Sequence, residues 1–264
     1  MEITVVITTY NRCGVVKKSI DSVLLELPES RIIVVDDAST DNTLQTLETE
    51  YCEYINSGVI SLVALEKNIG VTGAKNHGFS ESENNWVLFL DSDDIIMSGA
   101  GEKIRFEANQ YKSYSVLFFR CLDAARNPVG KLIESPLFVN LDSYLINASY
   151  GESLTLINKA VLGQTAPYIE SLRGYEGLGI CKILERHGPA VISPVFARVY
   201  LTEGVDRLSS FRGFLSRATF LSKGHLILVK TYGKNMGVYR SILYLTKSVL
   251  YFMVGHIYKR FVRL

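Results

Sequence analysis

Three aspartates crowd into the segment Asp91-Ser92-Asp93-Asp94, directly after the apolar run WVLFL. Carboxylates this close repel one another, so a cation among them would stabilise the cluster. Oxygen ligands on a short loop suit Mg²⁺ or Mn²⁺, especially where a substrate phosphate completes the coordination shell. The alternative is an acidic turn in which each carboxylate accepts hydrogen bonds from backbone amides. The position at the end of a strand favours the metal site.

Two other polar segments also follow apolar runs of strand length. Thr8-Thr9-Tyr10-Asn11 comes after the run 3–7, and Asp36-Asp37 opens the loop after the run 32–35. One of these two aspartates could cap the following helix while the other binds a ligand. Because the carboxyl ends of parallel strands share one edge of a sheet, where α/β proteins bind ligands, we expect all three segments on one rim.

The elements that must position these segments follow from hydrophobic spacing. Apolar runs predict strands at 3–7, 32–35, 60–63, 86–90 and 116–119, and helical spacing predicts helices at 16–27, 44–54, 176–185 and from 212 onward. Apolar strands that alternate with helices indicate an α/β fold with a mostly parallel sheet covered on both faces.

Five segments carry a resemblance to a known family. They are VVITTYNR at 5–12, IIVVDDASTDNT at 32–43, EKNIGVTGAKNHG at 66–78, WVLFLDSDD at 86–94 and, more weakly, LRGYEGLGICKIL at 172–184. Together they make residues 1–205 similar to glycosyltransferase family 2, the inverting enzymes with the Rossmann-like GT-A fold. The resemblance implies a nucleotide-binding half at 1–100 and an acceptor-binding half at 101–205.

The resemblance also implies roles for single residues. Asp37 would accept a hydrogen bond from uracil N3–H, which favours a UDP-sugar donor, and Asp93 would ligate the Mn²⁺ or Mg²⁺ ion. Asp91 and Asp94 would contact the ribose or the donor sugar. The remaining residues implied to bind the nucleotide are Thr8, Tyr10, Asp36, Asn68, Gly70, Lys75 and Ser92. Lysine at 75, where the family more often has arginine, keeps the charge but loses the two-pronged guanidinium.

The catalytic base of this family is usually the aspartate of a Glu-Asp pair that opens a helix. Here Glu176 stands in place of the aspartate and Tyr175 in place of the first acid. Glu176 is therefore the expected base, with Glu170 in reserve, although a glutamate at this position can also simply stabilise a helix N-terminus. Arg207 could reach the diphosphate from a loop or could lie on the surface.

Residues 206–264 form a predicted helical tail that holds 11 of the 28 Lys and Arg residues and only one acidic residue, Asp206. On a helix at 240–264, one face is predicted to hold Arg240, Tyr244, Lys247, Ser248, Tyr251, Gly255 and Lys259, and the other face to hold Ile242, Leu245, Val249, Phe252, Met253 and Ile257. This pattern is typical of a helix lying in a membrane interface, and the longest stretch without a charge is too short to span a bilayer. The alternative is a helix packed on the catalytic domain or on a partner subunit.

The resemblance implies a hexosyltransferase of cell-surface polysaccharide biosynthesis, such as O-antigen, capsule or exopolysaccharide, that uses a UDP-sugar and a saccharide acceptor linked to undecaprenyl diphosphate. The N-terminus lacks the pattern of a signal peptide and the four cysteines are scattered, which favours a cytoplasmic enzyme, peripheral on the inner face of the cell membrane. A homo-oligomer is possible, and nothing indicates nucleic-acid binding. A non-catalytic scaffold that binds sugar nucleotides and a sugar nucleotidyltransferase are the alternative functions.

Overall fold

A computed structural model describes residues 2–146, 151–200 and 211–262. The strands in these ranges are β1 (Ile3–Thr9), β2 (Arg31–Asp36), β3 (Ile60–Ala64), β4 (Trp86–Asp91), β5 (Asp94–Ile96), β6 (Val116–Leu122), β7 (Leu137–Val139), β8 (Ser153–Asn158) and β9 (Ala190–Tyr200). The helices are α1 (Val16–Glu26), α2 (Thr43–Glu50), α3 (Cys52–Asn56), α4 (Val71–Glu81), α5 (Ala100–Gln110), α6 (Leu141–Ile146), α7 (Lys159–Leu162), α8 (Glu176–His187), α9 (Phe211–Met236) and α10 (Val238–Val262), and residues Glu170–Leu172 form a 3₁₀ turn.

The strands form one mixed sheet in the order β3-β2-β1-β4-β8-β6-β9-β5, with β7 paired to β9. The first four are mutually parallel, because β1 pairs in parallel with both β2 and β4, and β2 pairs in parallel with β3. Beyond them β8 runs antiparallel to β4 and to β6. The first four strands of the chain therefore lie together on one side of the sheet, and β6 and β9 form a further parallel pair on the other side. The five strands predicted from apolar runs are confirmed.

Helices cover both faces of the sheet. One buried cluster joins Val5 of β1 to Ile20 of α1 and Ile104 of α5. The opposite cluster joins Val6 of β1 to Phe79 of α4, and it extends to residues of α8. Because strands buried on both faces need apolar residues at every position, β1 and β2 read as continuous apolar runs in the sequence.

Hydrophobic spacing does not predict helix α4. Its sequence VTGAKNHGFSE offers few large apolar residues because the helix backbone lies close against the sheet. A Cβ atom on Gly78 would come within 2.4 Å of Val6 Cγ1. The glycine that permits this approach also removes the apolar side chain that would have marked a buried helix face.

The segment predicted to be helical from residue 212 onward forms two helices, α9 and α10, which pack against each other. The Ser222 hydroxyl donates to the Ser248 carbonyl at 2.7 Å, and the Ser248 hydroxyl donates to the Ser222 carbonyl at 2.8 Å. The predicted polar face of α10 thus points toward α9. The exposed residues of α10 include large apolar side chains, among them Ile242, Leu245, Val249, Phe252, Met253 and Ile257. Within the described residues, none of the helices combines the length and apolarity needed to cross a bilayer.

Candidate active site

Strand register brings the three polar segments to one edge of the sheet. Thr8 on β1 lies opposite Asp91 on β4, and Thr9 lies opposite Asp36 on β2. The loops after β1 and β2 are also joined directly, since the backbone amide of Thr40 donates to Asn11 Oδ1 at 2.7 Å. The expected common rim is therefore present, and it follows from parallel pairing in register.

A cavity of about 400 Å³ opens at this rim. Eight of the residues expected to form the site line it: Thr8, Tyr10, Asp37, Asn68, Gly70, Asp91, Ser92 and Asp93. Its wall also includes residues to which the sequence analysis gave no role, namely Arg12, Arg173, Tyr200, Ser216, Arg217 and Phe220. The cavity therefore combines carboxylates from strand ends with three arginines, an arrangement suited to a nucleotide diphosphate.

Asp37 holds the start of α4 in place. Its carboxylate accepts hydrogen bonds from the backbone amides of Ile69 at 2.7 Å and Gly70 at 2.8 Å. Burial raises the pKa of Asp37, and these two hydrogen bonds oppose the shift. Asp36 does not line the cavity, because its carboxylate accepts hydrogen bonds from the amide and hydroxyl of Ser39. Of the two neighbouring aspartates, one therefore faces the cavity and the other closes its own loop.

Arg173 fastens the same segment from the opposite side. Its guanidinium donates to the Asn68 carbonyl at 2.7 Å and to Asn68 Oδ1 at 3.2 Å. Gly70 has a φ of +84°, and a Cβ atom there would lie 2.8 Å from Arg173 Cγ. Glycine at 70 is thus required both by the backbone conformation and by the close approach of Arg173. The sequence offered only the position of Arg173 within the weakest of the five family segments as a signal.

Lys75 connects the acidic cluster to the expected base. Its ammonium lies 2.8 Å from Asp91 Oδ1 and 2.7 Å from Glu176 Oε1, and its side chain is 4% exposed. Burial by itself would lower the pKa of Lys75, but the carboxylates of Asp91 and Glu176 outweigh it and raise the pKa. Burial likewise opposes the ionisation of Asp91, whereas Lys75 and Arg198 hold its pKa below the usual value. A charged triad therefore joins three residues that are far apart in the sequence.

The three aspartates of the acidic cluster have different surroundings. Asp93 lines the cavity, whereas Asp94 is fully buried and forms an ion pair with Arg198 at 2.9 Å. Asp94 therefore does not reach the space where a donor sugar would lie, and it anchors the cluster to β9. Burial, aided by Asp91 and Asp93, raises the pKa of Asp94 to about 7, and Arg198 opposes this shift.

The part of the chain that the structure describes holds no cluster of three or more His, Cys, Asp or Glu side chains arranged to bind a metal. This donor set still fits Mg²⁺ or Mn²⁺ bound together with a nucleotide, because such ions are commonly held by one or two carboxylates plus substrate phosphates and water. Asp93, on the cavity wall, is the carboxylate placed to serve in this way.

Helix α9 contributes Ser216, Arg217 and Phe220 to the cavity, so the predicted tail takes part in its wall. The guanidinium of Arg217 donates to the Gly174 carbonyl at 3.5 Å, next to the loop that carries Glu176. The sequence gave no signal for this role, because Arg217 lies in no recognisable motif. Arg207, the residue expected at the diphosphate, lies outside the described residues.

Glu176 begins helix α8, as expected, and is held from two sides. Lys75 bonds its carboxylate, and the ring of the preceding residue, Tyr175, meets the His225 ring of α9 edge to face at 5.3 Å. The reserve candidate, Glu170, has an exposed side chain in the 3₁₀ turn and does not line the cavity. Glu176 is thus the one of the two acids that lies beside the rest of the site.

Residues 4–134 match the family described as Glycosyl transferase family 2. The chain is 30% identical over 164 residues to TuaG of Bacillus subtilis, named as a putative teichuronic acid biosynthesis glycosyltransferase, a match covering 61% of this chain and 64% of TuaG. Over 167 residues it is 26% identical to a GalNAc(5)-diNAcBac-PP-undecaprenol beta-1,3-glucosyltransferase of Campylobacter jejuni, covering 61% of this chain and 53% of that protein. The match therefore spans less than two thirds of either relative.

Solved structures with the same architecture extend the likeness over most of the chain. TarS 1–349 of Staphylococcus aureus, in complex with UDP-GlcNAc, has a TM-score of 0.68 at 20% identity, covering 87% of this chain and 67% of TarS 1–349. The mannosyltransferase PcManGT from Pyrobaculum calidifontis, in complex with GDP-Man and Mn²⁺, has a TM-score of 0.65 at 15% identity, covering 97% and 73%. At such identities the likeness establishes the fold alone, which is GT-A.

Proposed function

Because the chain belongs to glycosyltransferase family 2, we propose that it is an inverting hexosyltransferase that transfers a sugar from a UDP-sugar to a saccharide acceptor. The observation that carries the proposal is the triad in which Lys75 touches both Asp91, on the wall of the cavity, and Glu176, at the start of α8. These contacts support a donor site and a candidate base that lie next to each other. Such proximity is what a one-step displacement requires.

The nucleoside would bind beside Thr8 and Tyr10, with its uracil against Asp37. Asp37 lines the cavity, and each of its two carboxylate oxygens accepts one backbone hydrogen bond. Each oxygen therefore keeps a second lone pair that can accept a hydrogen bond from a ligand. A carboxylate acceptor favours uracil, whose N3 carries a proton, over cytosine, whose N3 does not. Asn68, Gly70 and Ser92 complete this part of the wall. Asp36 would support the wall by holding its own loop through Ser39, and Lys75 by its ion pair with Asp91.

The diphosphate would lie near Arg12, Arg173 and Arg217. Arg207, which lies outside the described residues, is a further candidate from the sequence. Negative charge grows on the leaving UDP as the glycosidic bond breaks, and cations already in place stabilise that charge. Asp93 would hold Mn²⁺ or Mg²⁺ at the same phosphates, where the ion supplies further positive charge when bound.

Glu176 would take the proton from the acceptor hydroxyl as the hydroxyl oxygen attacks the anomeric carbon from the face opposite UDP. The new bond forms while the bond to UDP breaks and UDP leaves with the electron pair, so the configuration inverts. The ion pair with Lys75 would fix the direction of the Glu176 carboxylate. Asp91, on the other side of Lys75, would contact the donor sugar or the ribose, and Asp94 would act only by anchoring the loop.

We propose a lipid-diphosphate-linked acceptor and contact with the inner face of the cell membrane, in polysaccharide biosynthesis. The exposed apolar residues of α10, together with the basic residues of the tail, support this part of the proposal. Apolar side chains would enter the interface, and Lys and Arg would meet anionic headgroups. The relative from Campylobacter jejuni is named for an undecaprenol-linked acceptor. A division at about residue 205 would then separate the catalytic domain from a membrane-binding hairpin.

The test is release of nucleoside diphosphate from a panel of UDP-sugars and GDP-mannose, with a synthetic lipid-diphosphate saccharide as acceptor. We expect release from a UDP-sugar, its loss when EDTA is added, recovery with Mn²⁺, and an inverted linkage in the NMR spectrum of the product. Binding of UDP-sugars without turnover or donor hydrolysis would instead support the scaffold function. Turnover of GDP-mannose alone would overturn the assignment of Asp37 to uracil.

A further inference from the structure

A second cavity, of about 220 Å³, lies between the sheet and the helical hairpin formed by α9 and α10. Its wall includes residues of β6 and β9, together with Leu228 of α9 and Tyr244 of α10. Tyr175 and Gly177, the two neighbours of Glu176 in the sequence, line it as well. A group bound in this cavity would therefore lie beside the loop that carries the candidate base, with the hairpin as part of its binding site.

Glu176 connects this cavity to the nucleotide cavity. Its carboxylate lies 2.7 Å from the Lys75 ammonium, which lies 2.8 Å from Asp91 on the wall of the nucleotide cavity. The described residues that line the two cavities are all different. In the proposed reaction an acceptor hydroxyl must reach Glu176 while the donor sugar lies near Asp91. The second cavity is placed to hold the sugar that carries this hydroxyl.

Three tyrosines contribute to the wall, namely Tyr144, Tyr175 and Tyr244. The Tyr144 ring stacks on Phe118, with the ring centroids 6.1 Å apart. The rings of Tyr175 and Tyr244 both pack on His225, with centroid distances of 5.3 Å and 5.2 Å. These contacts hold the three rings without using their hydroxyl groups, so the hydroxyls are not needed to position the wall.

The hydroxyl groups of these three tyrosines form no hydrogen bond within the residues that the structure describes. Partly buried tyrosine hydroxyls usually have a partner, because their removal from water is otherwise unfavourable. Burial raises the pKa of Tyr144 and of Tyr175, which keeps both phenols protonated and able to donate. The Tyr144 hydroxyl lies beside Gly177, 3.9 Å from the place of a Cβ atom there. The wall thus offers hydrogen bonds next to the Glu176 loop that a ligand can complete.

The combination of aromatic rings and hydroxyl groups favours a sugar as the ligand. A pyranose has apolar C–H faces that pack on aromatic rings, and hydroxyl groups that both donate and accept hydrogen bonds. The hydrocarbon chain of a lipid would fill the same space but leave the tyrosine hydroxyls without partners. The volume is below the range of about 300–1,000 Å³ usual for pockets that hold drug-sized ligands, so it fits one sugar ring better than a whole saccharide.

We propose that this cavity binds the reacting sugar ring of the acceptor and that Tyr144, Tyr175 and Tyr244 recognise its hydroxyl groups. The inference rests on the proposed glycosyltransferase function and deepens it by assigning the acceptor site. It gives the hairpin a part in acceptor selection, since Tyr244 belongs to α10. The donor is left to the loops at the strand ends.

Replacing Tyr144 or Tyr244 by Phe tests the proposal, because each change removes one hydroxyl and keeps the ring. Tyr239→Phe is the matched control, since Tyr239 also lies on α10 but is 80% exposed and lines neither cavity. Removing a hydroxyl that the fold needs lowers the free energy of unfolding, whereas removing one that serves a ligand does not. Urea unfolding of the wild type and the three variants therefore separates a structural role from a binding role.

The binding experiment titrates four probes into the full-length chain loaded with UDP, followed by NMR. The probes are methyl β-D-glucoside, methyl β-D-galactoside, methyl N-acetyl-β-D-glucosaminide and, to represent a lipid chain, geraniol. We expect at least one glycoside to bind the wild type, and its Kd to rise about threefold to tenfold in Tyr144→Phe and in Tyr244→Phe. Tyr239→Phe should bind it as the wild type does, and the free energy of unfolding should be the same in all four proteins.

Binding of no glycoside to the wild type, or equal binding by the wild type and both cavity variants, would overturn the inference. So would a loss of stability in both variants that accounts for their weaker binding. Binding of geraniol alone would assign the cavity to a lipid chain instead. UDP affinity is measured on the same samples: if UDP binds while no glycoside does, the acceptor site alone is wrong, and if the wild type does not bind UDP, the proposed function fails.

Discussion

The strand-end rim and the α9–α10 hairpin are organised by opposite rules. At the rim, each polar segment directly follows its own strand, and the parallel register of β1 and β4 places Thr8 beside Asp91. In the hairpin, Ser248 packs inward while Val249 and Phe252 remain exposed. A strand end is fixed by local sequence, whereas the face that a helix buries is chosen by the surface it meets. Local motifs therefore indicate where the rim residues lie, whereas in the hairpin they separate the two faces without indicating which one is buried.

The two regions meet at the loop that carries Glu176. From the rim side, Lys75 of α4 bonds the Glu176 carboxylate at 2.7 Å. From the hairpin side, His225 packs on Tyr175 and Arg217 donates to the Gly174 carbonyl. If both regions serve one reaction, changes on either side must affect transfer, but by different steps. The predictions that follow separate those steps, beginning with the residue at the junction.

We expect Glu176→Gln to reduce kcat for transfer by about 10³-fold, because an amide cannot accept the acceptor proton. UDP affinity, measured by calorimetry, should change little, since the nucleotide wall is untouched. Glu170→Gln is the matched control and should retain wild-type turnover. Near-normal transfer by Glu176→Gln would remove Glu176 as the base, and loss of transfer by Glu170→Gln would move that role to the 3₁₀ turn.

The second prediction tests the exposed face of the hairpin. Replacing Leu245, Val249 and Met253 together by Ser should weaken binding to phosphatidylglycerol vesicles by about 100-fold, since each buried apolar side chain contributes about 1 kcal/mol or more when it enters the interface. Sedimentation with vesicles measures the effect.

The control for this change replaces Leu25 and Phe106, apolar residues that are also exposed but lie outside the hairpin, by Ser. This double variant should bind vesicles as the wild type does. Equal binding by the triple variant and the wild type would refute membrane contact through this face. The helix would then have to be covered by a protein surface, for example a second copy of the chain.

The parts of the fold that the sequence predicts share one property, namely that their signals are local. The five predicted strands are largely apolar because both sheet faces are covered, and the loops after β1, β2 and β4 lie where parallel pairing puts them. Hydrophobic spacing does not predict helix α4, because glycine stands at position 78, where the helix meets the sheet and an apolar side chain would otherwise mark the buried face. The expected single helix at 44–54 is divided into α2 and α3 at Tyr51.

The candidate site is predictable only where its residues follow strands. Arg217 reaches the cavity through the packing of α9, and no spacing within α9 distinguishes it from Lys223 on the same helix. The family motif places Asp94 at the donor sugar because it adjoins Asp93, yet Asp94 begins β5, which pairs with β9, and its buried carboxylate meets Arg198 of β9. Both cases depend on contacts between residues distant in sequence, which local patterns do not specify.

The third prediction asks whether the hairpin belongs to the donor site. Arg217→Gln should raise the KM for the UDP-sugar by about tenfold, because a hydrogen bond to a charged group contributes about 1.5 kcal/mol or more. Affinity for uridine, which lacks the diphosphate, should change much less. Lys223→Gln, an exposed change on the same helix, is the control. Equal losses for UDP and uridine would mean that Arg217 only supports the loop at 174.

The smallest expected effect concerns His225, the aromatic centre of the hairpin. Its ring lies among Tyr175, Tyr244 and Tyr251, and Lys247 is the charged group nearby. Burial, with a further contribution from Lys247, lowers the pKa of His225 to about 4. A histidine kept neutral by folding contributes its full stability above its unfolded pKa of about 6.5, and that stability is lost as the pH falls toward 4.

Lowering the pH from about 7.5 to 5.5 should therefore cost about 1 kcal/mol at His225, which His225→Phe would not lose. Asp94 acts in the opposite direction over the same window, since a carboxyl whose folded pKa is raised to about 7 stabilises the fold as it takes up a proton. The free energy of unfolding in urea is therefore measured for the wild type and for His225→Phe at both pH values. The contribution of His225 is the change, between the two pH values, in the difference between the two proteins. If that difference is the same at both, His225 is not held neutral by its aromatic neighbours. The hairpin would then contribute no loss of stability at low pH that sets it apart from the rim.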